Sequence, residues 1–171
     1  MLKVGDKLPA VRLHEFIDVE TEGCSLGPNS FEMDKESAGK TIALFALPGA
    51  YTPTCSAKHV PGFVKLAADF KSAGVDEIWC VSVNDAFVMG SWGREQGAAG
   101  VIRMMGDGNA DFAREAGLTL DMTARGMGVR IQRCSMLVVD GVVKALNTEA
   151  PGKFENSSAE KLLAQAQALA R

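Results

Sequence analysis

The 171-residue chain carries 18 Lys plus Arg against 21 Asp plus Glu, a formal charge of −3 at pH 7. Apolar residues make up 47% and charged residues 23%, an ordinary globular mixture that excludes disorder, collagen and a coiled coil. The length suits a single domain with a sizeable core, and the mild acidity argues against a nucleic-acid surface, which needs clustered cations.

No apolar run approaches the ~20 residues that span a bilayer, and residues 1–20 lack the apolar stretch of a signal peptide. These features predict a cytoplasmic protein, or an organellar one after removal of a transit peptide, with no membrane partner. The four cysteines, Cys24, Cys55, Cys80 and Cys134, form no CxxC and no zinc spacing. In a reducing compartment structural disulfides are not expected, so the question is which thiol reacts. Two histidines and scattered cysteines predict neither a metal site nor a cofactor.

In chain order, residues 1–40 are cut by Gly5, Pro9, Gly23, Gly27, Pro28 and Gly39 into short strands and turns, an N-terminal extension to a core spanning 41–171. Thr41–Leu47 is a short buried strand closed by Pro48-Gly49. From Cys55, the apolar residues Val60, Phe63, Val64 and Ala67 recur at helical spacing to about Ser72. Pro61 predicts a kink and Gly74 an end. Glu77–Val83 reads as a second buried strand. Asn84-Asp85 caps a helix over 86–97, Val101–Met105 is a third strand, and Asp107-Gly108-Asn109 turns into a short helix near 110–116. Residues 117–128 read as loop. Ile131–Val139 and Val142–Leu146 flank Asp140-Gly141, a hairpin signal. Ser157-Ser158-Ala159-Glu160 has the form of a capping box, followed by Leu162, Leu163, Ala166 and Leu169 on the apolar face of a closing helix. Alternating strands and helices with a terminal hairpin predict an α/β fold of thioredoxin layout, a mixed sheet with helices on both faces.

The segment Pro48-Gly49-Ala50-Tyr51-Thr52-Pro53-Thr54-Cys55 joins a strand end to the first turn of a helix. Unpaired backbone N–H groups at such a turn favour negative charge, so a thiol there favours its thiolate. Thr52, three residues earlier, can lay its hydroxyl beside the sulfur and donate to it or to a bound oxygen. A dithiol oxidoreductase needs two cysteines across this turn; T-x-x-C supplies one. That thiol cannot close a local disulfide, but it can attack a peroxide O–O bond and become a sulfenic acid. A buried cysteine acting as a small hydrophobe is the commoner fate of a lone cysteine; the coincidence of strand end, Pro/Gly turn, threonine and helix onset favours reactivity.

Arg133 interrupts an otherwise apolar strand. Beside a helix N-terminus it would stabilise a thiolate and orient an oxidant. Arg130 is its rival, since regular alternation puts the two on opposite faces and lets only one serve the site. His59, about one turn after Cys55, invites a Cys–His hydrolase reading, but no thiol-protease signature surrounds it and packing near the pocket mouth is preferred. Trp92 and Phe87 read as core or interface residues. Asp107-x-Asn109-x-Asp111 opens like a calcium loop but has Phe112 and Leu118 where glycine and glutamate are needed.

The stretch PGAYTPTCSAKHVPGF resembles the active-site segment of peroxiredoxins, P-x-x-x-T-x-x-C, and is closest to the type 5 (type II, redoxin) subfamily. The resemblance continues in VNDAFVMGSWGRE, QRCSMLVVDGVVKALN and PGKFENSSAEKLL and covers nearly the whole chain. It implies a thioredoxin fold and an antioxidant thiol peroxidase acting on hydrogen peroxide and alkyl hydroperoxides. By resemblance, Cys55 is the peroxidatic cysteine, Thr52 hydrogen-bonds the peroxide, Pro48 shields the sulfenate, Arg133 is the family's arginine, and a homodimer is expected.

Some members carry a resolving cysteine near the carboxyl terminus. Its place falls at about Ser157, and no cysteine lies beyond Cys134. Cys80 reads as core, Cys134 points away from the site, and Cys24 falls in a predicted turn. A one-cysteine mechanism follows, with glutathione and glutaredoxin as the expected reductant and thioredoxin as the second choice. The alternative is a redox-sensing thioredoxin-like module that signals oxidation of Cys55 to a partner.

Overall fold

Apolar side chains alternate along the central strands and divide the core into two layers. The computed structural model describes residues 1–16 and 28–170. In β3 (Thr41–Ala46), Ile42, Leu44 and Ala46 face one layer, and Ala43 and Phe45 the other. In β4 (Glu77–Ser82), Trp79 and Val81 oppose Ile78 and Cys80 in the same way, as in strands buried on both faces. β3 pairs parallel with β4, and β4 with β5 (Arg103–Gly106). β8 (Cys134–Val139) lies antiparallel to β3 and turns into β9 (Val142–Thr148). The turn residues Asp140 and Gly141 have φ of 49° and 76°, the left-handed geometry that a two-residue hairpin turn requires.

β1 (Arg12–Glu15) pairs with β5 and with β2 (Asn29–Glu32), giving the sheet order β2-β1-β5-β4-β3-β8-β9. The segment expected to be an extension therefore supplies two strands of the central sheet. The helices α2 (Val60–Lys65), α3 (Ala67–Ser72), α4 (Ala86–Glu95) and α6 (Ala159–Leu169) bury Phe63, Phe70, Trp92 and Leu162 on one side; α1 (Met33–Glu36) and α5 (Asp111–Glu115) bury Met33 and Phe112 on the other. This is the thioredoxin-like fold. Among the described residues no helix is long and apolar enough to cross a membrane.

Several local expectations change. The helix from Cys55 is three pieces: a π turn over Cys55–His59, then α2 and α3, which part at Leu66. Pro61 cannot donate to the Ala57 carbonyl. The ladder widens just ahead of it, with the Val60 N–H on the Cys55 carbonyl, so a π turn stands where a kink at the proline was expected. Residues 117–128 are not plain loop: β6 (Thr119–Asp121) pairs with β7 (Val129–Ile131) across a 3₁₀ turn, a hairpin too short and too exposed to show a hydrophobic period. The strand expected over Ile131–Val139 is broken at Gln132-Arg133. There the Gln132 N–H bonds the Leu118 carbonyl at 2.7 Å, and the Arg133 carbonyl accepts the Glu149 N–H at 3.0 Å. Ser158, not Ser157, caps α6, through Oγ to the Lys161 N–H at 3.3 Å. Ser157 is buried, with its hydroxyl unpaired, and Leu169 is half exposed.

Gly106 ends β5 against the turn that follows β4. A Cβ there would lie 2.7 Å from the Asn84 carbonyl oxygen and 2.9 Å from the Ala86 nitrogen, backbone atoms that cannot swing aside. Gly106→Ala is expected to destabilise the fold by about 1–3 kcal/mol, read as a lower midpoint in chemical denaturation. An unchanged midpoint would contradict this close approach.

Candidate active site

β3 and β4 end at the same edge of the sheet, and in open α/β sheets sites form outside the carboxyl ends of parallel strands. The loop 47–54 leaves β3 at that edge and is fixed from three sides. The Ala50 N–H donates to Asn84 Oδ1 at 3.0 Å, and the Ser82 hydroxyl lies 3.0 Å from the Leu47 carbonyl and 2.8 Å from the same Asn84 oxygen. Tyr51 takes a φ of 64°, uncommon for a residue with a side chain, and its hydroxyl sits 3.0 Å from Ser91 Oγ. From β7, Arg130 Nη1 donates to the Val83 carbonyl at 3.2 Å and the Pro48 carbonyl at 3.4 Å. It passes so close to Gly49 that a Cβ there would be 3.1 Å from Nη1.

Arg130 and Arg133 therefore both reach this region. The expectation that only one could do so assumed a regular strand, and the break at Gln132-Arg133 removes that regularity. Arg130 clamps loop backbone, and Arg133 goes to the thiol.

Cys55 opens the π turn and is fully buried in the layer containing Phe45 and Phe63. Arg133 Nη2 donates to Cys55 Sγ at 3.0 Å, and its Nη1 lies 2.8 Å from His59 Nδ1. His59 Nε2 lies 3.0 Å from the Ser157 carbonyl oxygen. A carbonyl only accepts and a guanidinium only donates, so the proton of His59 is on Nε2 and Nδ1 is an acceptor. Burial, and then the Arg133 charge, lower the His59 pKa to about 3, against a small opposing effect of the Ser157 hydrogen bond. The imidazole is neutral and its free lone pair is taken. A hydrolytic base is thus ruled out, and His59 lies beneath the site rather than at a pocket mouth. Its link to Arg133 was missed in the sequence; the signal was its position four residues after Cys55, on one helical face. The Phe154 ring completes the enclosure, 5.7 Å from Arg133 Cζ and 5.1 Å from the His59 ring centre.

Thr52 donates its hydroxyl to the Gly49 carbonyl at 2.7 Å. Its one proton is used within the loop, so it presents lone pairs instead of the donor expected from sequence. Pro48, Thr52 and Arg133 line a cavity of about 440 Å³, together with Leu120, Met122 and Met127 of the β6–β7 hairpin. Asp121, Arg125 and Lys153 line it as well and are exposed. Cys55 is not itself on the wall; Arg133, which touches its sulfur, is.

Comparison with known proteins agrees with this geometry. The Redoxin family profile matches residues 3–163. Peroxiredoxin-2E, chloroplastic, of Arabidopsis thaliana is 46% identical over 164 residues, 95% of this chain and 68% of that one. The chain belongs to the Redoxin family and is a peroxiredoxin of the type 5 (type II) kind.

Two crystal structures share its fold closely. One, from Burkholderia cenocepacia and provisionally described as a thioredoxin reductase, is 58% identical with a TM-score of 0.92, covering 96% of this chain and 97% of that one. The other, reduced Prx3 of Vibrio vulnificus in complex with hydrogen peroxide, is 43% identical with a TM-score of 0.89, covering 97% and 99%. As a peroxiredoxin, the protein reduces peroxide at the expense of a thiol reductant.

Two further thiols of this peroxiredoxin are described. Cys80 shares a core layer with Cys55, and burial raises it well above the usual thiol range. Cys134 faces the opposite layer, and burial pushes it up to about 12. Both are held as neutral thiols. Cys24 lies outside the described residues. The Asp107 carboxylate accepts the Phe112 and Ala113 N–H groups at 3.1 and 3.0 Å, so it anchors α5.

The neutrality of His59 has a consequence for stability. Unfolded, the ring titrates near 6.5; folded, at about 3. Below pH 6.5 the unfolded chain takes up a proton that the native state refuses, so this contribution is complete above that pH and is lost as pH falls toward 3, at up to ~1.4 kcal/mol per pH unit. Denaturant titrations at pH 7 and pH 5 should show a larger loss of stability for wild type than for His59→Asn. Equal losses would refute the assignment.

Proposed function

We propose that Cys55 is the peroxidatic cysteine and that its oxidised form is returned to the thiol by glutathione with glutaredoxin. The observation that carries this is the Arg133 guanidinium donated to a sulfur at the first turn of a helix, at 3.0 Å. A buried thiolate needs such a counter-charge, and a charge-assisted N–H bond supplies it.

In the reaction the thiolate attacks one peroxide oxygen. The S–O bond forms and the O–O bond breaks. The other oxygen leaves with the electron pair and takes a proton to become water or an alcohol, while the sulfur becomes a sulfenic acid. A guanidinium has five N–H donors; two are engaged with Cys55 and His59, leaving others for the oxygen on which charge develops. Thr52, with its proton on Gly49, accepts the peroxide O–H. Pro48, on the same cavity wall as Thr52 and Arg133, is assigned the shielding of the sulfenate. Glutathione then attacks the sulfenic sulfur with loss of water, and a glutaredoxin thiol attacks the glutathione sulfur of the mixed disulfide, freeing Cys55. The Vibrio relative crystallised with hydrogen peroxide supports this substrate class.

Glutathione is favoured by cavity size and charge. About 440 Å³ exceeds what hydrogen peroxide needs and falls within the range that takes a drug-sized ligand. Arg125 and Lys153, exposed on its lining, match the two carboxylates of glutathione, and Asp121 matches its ammonium. The reading needs a compartment that keeps thiols reduced, for which the cytoplasm is our choice.

Cys55→Ser should abolish peroxide turnover, whereas Cys80→Ser and Cys134→Ser should retain it. Mass spectrometry after peroxide and glutathione should find the glutathione adduct on Cys55. A Cys24–Cys55 disulfide, or equal loss in all three variants, would overturn the mechanism. Replacing both Arg125 and Lys153 by Ala should raise KM for glutathione roughly twofold to thirtyfold, since two exposed ion pairs are worth about 0.2–1 kcal/mol each. Turnover with dithiothreitol, which is uncharged, should not change. An unaltered glutathione KM would refute the subsite.

A further inference from the structure

The polar groups around Cys55 form a line through the core. Ser157 accepts from His59 Nε2 at 3.0 Å, His59 Nδ1 accepts from Arg133 Nη1 at 2.8 Å, and Arg133 Nη2 donates to Cys55 Sγ at 3.0 Å. We propose that His59 is a positioning residue for the peroxidase reaction, acting as a neutral acceptor that holds the Arg133 guanidinium in the orientation that serves the sulfur and the incoming oxygen. The inference rests on the reading of Cys55 as the peroxidatic thiol.

Three features support it. Arg133 sits where the chain is not in a strand, so sheet geometry does not fix its side chain. Its guanidinium is aimed by contacts alone: His59 at one end, Cys55 at the other, and the Phe154 ring 5.7 Å from Cζ. Second, the imidazole has little freedom of its own. It is buried between the rings of Phe45, Phe63 and Phe154, with centroids 4.9, 5.7 and 5.1 Å away, and its tautomer is fixed by the Ser157 carbonyl. An acceptor so held restricts a donor better than water does, because it cannot reorganise as charge moves. Third, the π turn spans Cys55 to His59. The sulfur and the ring that aims the guanidinium therefore share one five-residue unit of backbone and move together. The deep desolvation of the ring keeps it an acceptor over the working pH range. A proton on it would set two cations in contact.

Side-chain shape separates this role from packing. Asn presents an oxygen near the place of Nδ1, so His59→Asn keeps an acceptor for Arg133. Gln presents its amide near the place of Nε2 and serves Ser157 instead. Leu serves neither. Single-turnover oxidation of Cys55 by hydrogen peroxide should fall about tenfold or more in His59→Leu and His59→Gln, the scale of a misdirected electrostatic donor. It should stay within about threefold of wild type in His59→Asn, and KM for the reductant should be unchanged throughout. In an Arg133→Ala background, His59→Leu should have no further effect, because a residue that acts only through another is silent once that other is gone.

Four results would overturn the proposal: wild-type rates in His59→Leu, equal rates in the Asn and Gln variants, a rise in reductant KM that accounts for the loss, or the full effect of His59→Leu persisting without Arg133. If His59→Leu does not fold, the Asn and Gln pair still decides. Retained turnover in Cys55→Ser would instead show that the peroxidatic assignment itself is wrong, an outcome distinct from normal His59 variants in a protein whose Cys55→Ser form is dead.

Discussion

The Cys55 sulfur lies inside the protein, away from water, and the guanidinium of Arg133 stands 3.0 Å from it. Each group makes the other tolerable. An isolated buried thiolate and an isolated buried guanidinium are both costly, and the pair is less so only if the remaining donors are also satisfied. His59 takes one of those donors, and the aromatic face of Phe154 lies against the guanidinium. The surrounding architecture follows from this requirement. The chain leaves the sheet at Gln132-Arg133 to let the side chain reach inward, and Glu149 ties the freed Arg133 carbonyl back to the fold.

The loop that carries the thiol is held by its neighbours as much as by its own sequence. Asn84 at the end of β4 takes the Ala50 N–H, Arg130 takes the Pro48 carbonyl, and Gly49 is the residue that leaves room for that arginine. These contacts tie the loop to two distant parts of the chain. They fix the loop before any ligand arrives, which is the condition for donors and acceptors to act on a transition state without first reorganising. The β6–β7 hairpin adds the outer wall of the cavity that Pro48, Thr52 and Arg133 also line.

The three described cysteines share burial but not surroundings. Cys80 and Cys134 sit among apolar groups without a cation on the sulfur, and desolvation holds them as thiols. Cys55 differs in its contact with Arg133 and in lying at the start of a helical turn. Distance from solvent alone does not separate them.

By itself the sequence determined what is local or periodic. Thr41–Leu47 and Glu77–Val83 are legible as buried strands because their apolar runs need cover on both faces, Asp140-Gly141 as a hairpin because its turn needs left-handed backbone, and Pro48–Cys55 as a strand-to-helix connection because its Pro/Gly turn falls between an apolar run and a helical period. The α/β class and the peroxiredoxin resemblance follow from such features. Tertiary structure decided what depends on residues far apart in the chain. Pairing of β1 with β5 and β2 made Arg12–Glu15 and Asn29–Glu32 part of the sheet, and pairing of β6 with β7 made a wall from a segment without period. Ser157, 98 positions from His59, set the tautomer that turns a plain packing residue into the support of Arg133. Hydrogen-bond direction and desolvation are properties of an enclosed space, and no spacing along a single strand or helix encodes which distant groups will close it.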